Sequence, residues 1–184
     1  MKKEGREKME KLEFRTLKAN EIECRVGTIN ENGLTLLLYK DARCDMNILD
    51  ETIGCLNWKR EHTRDNANCI VSIYDENKKE WVSKEDTGKE SFNEAEKGLA
   101  SDSFKRACVN WGIGRELYTA PFIYISSDKC TIYKNSKGKL AVKETFKVTK
   151  IDYNENREIS YLQIINNKAS NGKKYSIVFE KGEK

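Results

Sequence analysis

The stretch that most constrains the fold is SFNEAEKGLASDSFKRACVNWGIGRELY, from Ser91 to Tyr118. Ser91 with Glu94 three residues on makes a capping box, in which side-chain oxygens satisfy the unpaired N–H groups of a first helical turn. Phe92, Ala95, Leu99, Ala100, Phe104, Ala107, Cys108 and Trp111 recur at three- and four-residue steps. That is the period of a helix buried along one broad face. Gly112 and Gly114 then end it, as C-terminal glycines do. Asp102 and Arg106 stand four apart and can pair along the helix edge, while Lys105 points away from the apolar face. By period alone this is a core helix with solvated charges.

The segments before the helix read as strands and one shorter helix. Ile22, Cys24 and Val26 alternate with polar neighbours over 21–29, and the turn at Asn30–Gly33 leads into a second strand, Leu34–Lys40. Met46, Leu49 and Ile53 give helical spacing over Asp41–Gly54, with Lys40 and Arg43 at the entrance. Three strands follow. Cys55–Arg64 places Trp58, Arg60, His62 and Arg64 on one side and Lys59, Glu61 and Thr63 on the other, so part of it faces solvent or a ligand. Asn68–Tyr74 is apolar on both sides, like a central strand. Glu80–Asp86 is the third. Sequential antiparallel strands covered by one helix make an α+β domain, here in β-β-β-α order.

After the helix, Pro121–Ile125 reads as a short strand and 126–141 as loop with a weak strand inside. Turns at Asn154-Glu155-Asn156 and Asn171-Gly172 divide the remainder into three strands. These form a C-terminal β-meander, either a small subdomain or an extension of the sheet. The expected division is an N-terminal arm over 1–20, a core over 21–130 and the meander over 142–184.

Much chemistry is missing from the chain. No glycine-rich phosphate loop precedes a Lys-Ser or Lys-Thr pair, and no nucleophile elbow occurs. Six cysteines show no CxxC pair and His62 is the only histidine, so no metal site is expected. Buried thiols in a reducing cytosol are the simpler reading. The charged N-terminus has no apolar core, and no apolar run is long enough to cross a bilayer. The reading is therefore a cytoplasmic protein that is not an enzyme, with no catalytic residues and no cofactor. The net charge of +4 is too mild to establish nucleic-acid binding by itself.

Three motifs in order carry a resemblance. They are LTLLLYKDARCDMNILDETIGCLNW with Gly54 and Trp58, the meander NCIVSIY with EWVSKEDTG, and ASDSFKRACVNWGIG. Over about residues 33–120 the chain resembles the Rad-fifty-two family of DNA annealing proteins, in the short form carried by phages and prophages. The resemblance implies an oligomer, usually a ring, that holds single-stranded DNA in a basic groove and anneals complementary strands without ATP. An oligomer builds a row of cations from few residues per subunit, which removes the objection of low net charge.

Carried over by motif, the family's Lys-Arg pair falls on Lys105 and Arg106, with Arg106 alternatively a structural partner of Asp102. The basic residue at the first helix falls on Arg43 with a one-residue shift in the alignment, or Lys40 takes the role instead. Lys59, Arg60 and Arg64 are candidate backbone contacts with no motif to fix them. Trp58 either stacks on a base or packs in the core or subunit interface. The expected partners are single-stranded DNA, further copies of the chain, and a single-strand-binding protein or phage exonuclease in a bacterial host. Two rivals share the sequence features: a single-strand or DNA-end protection protein that does not anneal, and an oligomeric interaction or anti-defence protein without DNA binding.

Overall fold

The computed structural model describes residues 11–89, 95–166 and 175–181, with backbone alone at 95–97. The capping box of Ser91 and Glu94, Phe92 and the turn at Asn171-Gly172 lie outside the described residues. The architecture is α+β, with antiparallel sheets and two helices.

β1 (Ile22–Asn30) and β2 (Gly33–Lys40) form a hairpin. Asn30 sets its turn, since its Oδ1 accepts from the N–H groups of Asn32 (2.9 Å) and Gly33 (3.1 Å). α1 (Ala42–Ile53) follows directly, capped by Asp41, whose carboxylate accepts from the Arg43 N–H at 2.7 Å. β3 (Trp58–Thr63), β4 (Asn68–Asp75) and β5 (Glu80–Thr87) form a three-stranded sheet with β4 central. β3 is shorter than the expected strand at both ends. Asn57 folds back on α1, with its Nδ2 donating to the Ile53 carbonyl at 2.7 Å. At the other end Arg64, Asp65 and Asn66 all take positive φ. Arg64 is therefore a turn residue and does not continue the row of Trp58, Arg60 and His62.

α2 (Ala95–Asn110) lies on this second sheet. Leu99, Phe104, Ala107 and Cys108 are buried at the expected steps. They meet the face of β4 that carries Cys69, Val71 and Ile73, all nearly inaccessible. The helix ends in a Schellman turn. The N–H of Ile113 reaches the Cys108 carbonyl at 3.1 Å and that of Gly112 reaches Val109 at 2.9 Å. Gly112 sits at φ 98°, a conformation that costs other residues strain. Trp111, just past the helix, donates its indole N–H to the Val71 carbonyl at 3.0 Å.

The chain then makes β6 (Ile123–Ser126) and a ribbon of β7 (Ile132–Lys134) and β8 (Leu140–Val142). Last come β9 (Phe146–Tyr153), β10 (Ile159–Asn166) and β11 (Ser176–Glu180). Of the two arrangements open for these last strands, the extension is the one observed. They join one six-stranded sheet in the order β11-β10-β9-β1-β2-β6, with Glu23 opposite Lys147 at the joint. A single core cluster holds Ile48 and Leu49 of α1, Phe104 and Cys108 of α2, Leu34 and Leu36 of β2, and Val148, Ile159, Leu162 and Ile164 of β9 and β10.

The N-terminal segment also departs from expectation. Phe14 and Leu17 are buried in the same core. Leu17 is clasped from both sides, its N–H donating to the buried Glu116 carboxylate at 2.7 Å and its carbonyl accepting from the Tyr153 hydroxyl at 2.9 Å. The later part of the expected arm is thus part of the fold. Among the described residues no helix is long and apolar enough to cross a membrane, and no group of His, Cys, Asp and Glu is placed to hold a metal ion.

Candidate nucleic-acid interface

The edge of α2 that turns from the three-stranded sheet carries Asp102, Lys105, Arg106 and Val109. Together with β2 and the segment from Gly114 to Ile123, this edge walls a groove of about 400 Å³. Most of the wall is apolar, from Leu36, Leu38, Val109, Leu117, Pro121 and Ile123. Lys105 and Arg106 are the cations in it that are only partly buried.

Arg106 donates from Nε to Asp102 at 2.8 Å, the one-turn pairing expected from their spacing. Asp102 also accepts from the Lys89 N–H at 2.9 Å, which fixes the carboxylate and through it the guanidinium. The Arg106 side chain stays 43% exposed, so the pairing orients the cation without burying it. Lys105 is half-buried, not directed into solvent as its position off the apolar stripe suggested. Burial holds its pKa below the ordinary lysine range, Asp102 opposes that shift, and the neighbouring Arg25 and Lys40 reinforce it.

Arg25 is a cation that sequence reasoning missed. It stands on β1 directly across from Leu37 of β2, and its guanidinium lies 4.7 Å from the centre of the Tyr39 ring. Strand alternation marked only the apolar residues of β1. The approach of Arg25 to Lys105 depends on hairpin register and on how α2 packs.

Lys40 requires a correction. It is 4% exposed and paired with the fully buried Asp45, and its ammonium also reaches the Lys105 carbonyl at 3.4 Å. Its stem runs beneath Gly114, where a Cβ would overlap it. Gly114, at φ 71°, meets both the backbone and the packing demand of this turn. Lys40 therefore serves the interior and offers no charge to a ligand.

The remaining candidates do not form one row. Arg43 is exposed at the start of α1, and its guanidinium closes on Asp41 at 2.8 Å, which lowers the Asp41 carboxyl to about 2. Lys59 and Arg60 lie on opposite faces of β3, as alternation requires. The Lys59 ammonium sits 4.5 Å from the Trp81 ring centre on the outer face. Arg60 lies 4.8 Å from the Phe104 ring centre on the face toward α2. Trp58 packs against α2 and α1. Its ring stacks on Phe104 at 6.1 Å and its indole N–H donates to Asp50 at 2.7 Å. His62 makes a long contact, 3.5 Å, from Nδ1 to the Ser103 hydroxyl and also meets the Asn68 backbone.

A family model described as the Rad52/22 family double-strand break repair protein matches residues 6–136. Comparison with curated proteins and with solved structures found no significant match. The match spans well over half of the 184 residues and takes in β1, β2, α1, the three-stranded sheet and α2, so every wall of the groove lies within it. On that ground the chain belongs to the Rad52/22 family of double-strand break repair proteins.

Proposed function

We propose that this protein binds single-stranded DNA through the groove beside α2 and anneals complementary strands without ATP, in homologous recombination and repair. The observation that carries the reading is the pairing of Lys105 and Arg106 on the mouth of an apolar groove, with Arg25 close by, in a chain of this family. Phosphates attract the cations and release counterions, a term that is independent of sequence. Sequence independence is what annealing requires, since pairing between the strands themselves must decide the outcome.

Under this reading β3, β4, β5 and α2 are the family's β-β-β-α unit, and copies of the chain assemble into a ring or filament that sets the cations in a row. Arg43, Lys59, Arg60 and Arg64 are secondary contacts with the strand at most, because they lie outside the groove wall. The motif resemblance to phage-borne forms of the family favours phage- or prophage-encoded recombination in the bacterial cytoplasm, alongside a single-strand-binding protein or an exonuclease that exposes the strand. No step of annealing needs a bond to be made or broken, so the proposed role is not enzymatic.

The test is annealing of two labelled complementary oligonucleotides without ATP over a salt series, with light scattering on the same sample. Fast annealing by a large oligomer is expected, falling as salt rises. Tight binding of single strands with no annealing would support protection instead. Absence of binding even at low salt would overturn the DNA reading.

A further inference from the structure

Phosphate binding requires cations, but the groove beside α2 is mainly apolar. Its mouth also carries Tyr118, an aromatic side chain that is 72% exposed. Exposure of this kind in a mobile loop would mean little, and this position is held. Tyr118 belongs to a single 3-10 turn, Arg115–Thr119. Glu116 in that turn is buried on the Leu17 N–H. The Thr119 hydroxyl donates to the Glu116 carbonyl at 2.7 Å and accepts from the Ile159 N–H at 2.9 Å. The backbone on either side of Tyr118 is therefore anchored to the core while its ring is left in solvent. Arg106 and Lys105 line the same groove as this ring.

We propose that this groove accepts one nucleobase of the bound strand in each protomer, stacked on Tyr118 against the apolar wall of Val109 and Leu117, with the adjoining phosphates on Lys105 and Arg106. The proposal rests on the single-stranded-DNA reading above. A volume of about 400 Å³ lies within the range of small-ligand pockets. Stacking on an aromatic face tolerates any base, so the pocket adds affinity without sequence preference. One pocket per protomer leaves the intervening bases free to pair, and the held base fixes the register of the strand along the assembly. The cationic mouth favours an anionic polymer over the other candidate occupant, an apolar side chain from a second copy.

The experiment compares oligothymidylate with a base-free deoxyribose-phosphate oligomer of equal length, by fluorescence anisotropy over a salt series, using the full chain. The wild type is expected to bind the base-bearing strand more tightly. Tyr118→Ala should lose that preference, weakening oligothymidylate binding roughly 5- to 100-fold with an unchanged salt slope. Tyr118→Trp should keep it. Equal wild-type binding of the two polymers overturns the pocket and leaves the phosphate groove standing. A Tyr118→Ala variant that still discriminates overturns it as well. So does one that changes only the oligomer mass, which would assign the ring to a subunit contact. Binding of neither polymer at low salt overturns the DNA reading and the pocket together.

Discussion

A lysine that is 4% exposed persists only because its counter-charge is buried with it. Asp45→Asn should therefore cost about 3–5 kcal/mol, because the buried Lys40 ammonium is left without a counter-charge. Replacing both, as Lys40→Met with Asp45→Leu, should recover most of that loss, and urea unfolding of the three proteins measures it. Lys105 behaves differently. It is half-buried beside other cations, and burial disfavours its charged form. A bound phosphate favours that form, so binding takes up a proton once the free side chain begins to lose it. Affinity for single strands should thus fall with rising pH before the ordinary lysine range, near 10.4, is reached. Lys105→Arg should remove this dependence, since arginine stays charged; a pH series of binding isotherms at fixed salt decides the point. Lys105→Ala with Arg106→Ala should weaken binding to all sequences alike and flatten the logarithmic salt slope by about 1.4, or about 0.7 for each cation lost. An unchanged slope in a folded double variant would remove both residues from the interface.

Element boundaries were largely legible in the sequence because they are set locally. The Asp41 cap, the Asn30 turn and the exit at Gly112 each involve residues within a few positions of one another. What could not be read was contact between elements. Lys40 ends a strand and precedes a helix, which on sequence alone is an exposed position; its burial follows from Asp45 and from Gly114, far along the chain. Arg25 and Lys105 are likewise joined only by packing. The separation of Lys59 from Arg60, by contrast, was already implied by alternation. Phe104 shows how such packing concentrates on one residue of α2. It is fully buried, stacks on Trp58 of β3 and lies beneath the Arg60 guanidinium. Phe104→Ala should cost about 3–5 kcal/mol and change the emission of Trp58, because the helix and the strand would lose their shared contact. Thermal unfolding followed by tryptophan fluorescence reads both effects, and a loss below about 1 kcal/mol would mean that α2 settles onto the sheet without it.

At the scale of the whole molecule, the family match and the fold do not end together. The match stops at residue 136, whereas the six-stranded sheet draws β9, β10 and β11 from beyond it. Val148, Ile159, Leu162 and Ile164 from those strands are each about 1% exposed and share one core with both helices. Burying side chains of that size stabilises a fold by about 1.5–3 kcal/mol each. Four of them together approach the entire stability of an ordinary domain, about 5–15 kcal/mol. Removing 142–184 would also uncover the edge of β1, and an unpaired edge is a template for aggregation. The truncated chain should accordingly be insoluble, or soluble only with its near-ultraviolet circular dichroism lost. A soluble truncation that unfolds cooperatively would show instead that the β1–β2 hairpin, α1, the three-stranded sheet and α2 fold without the later strands. The groove would then survive as well, because none of its walls comes from beyond Ile123. Single-strand binding by that truncated protein would assign the last three strands to assembly or stability rather than to DNA.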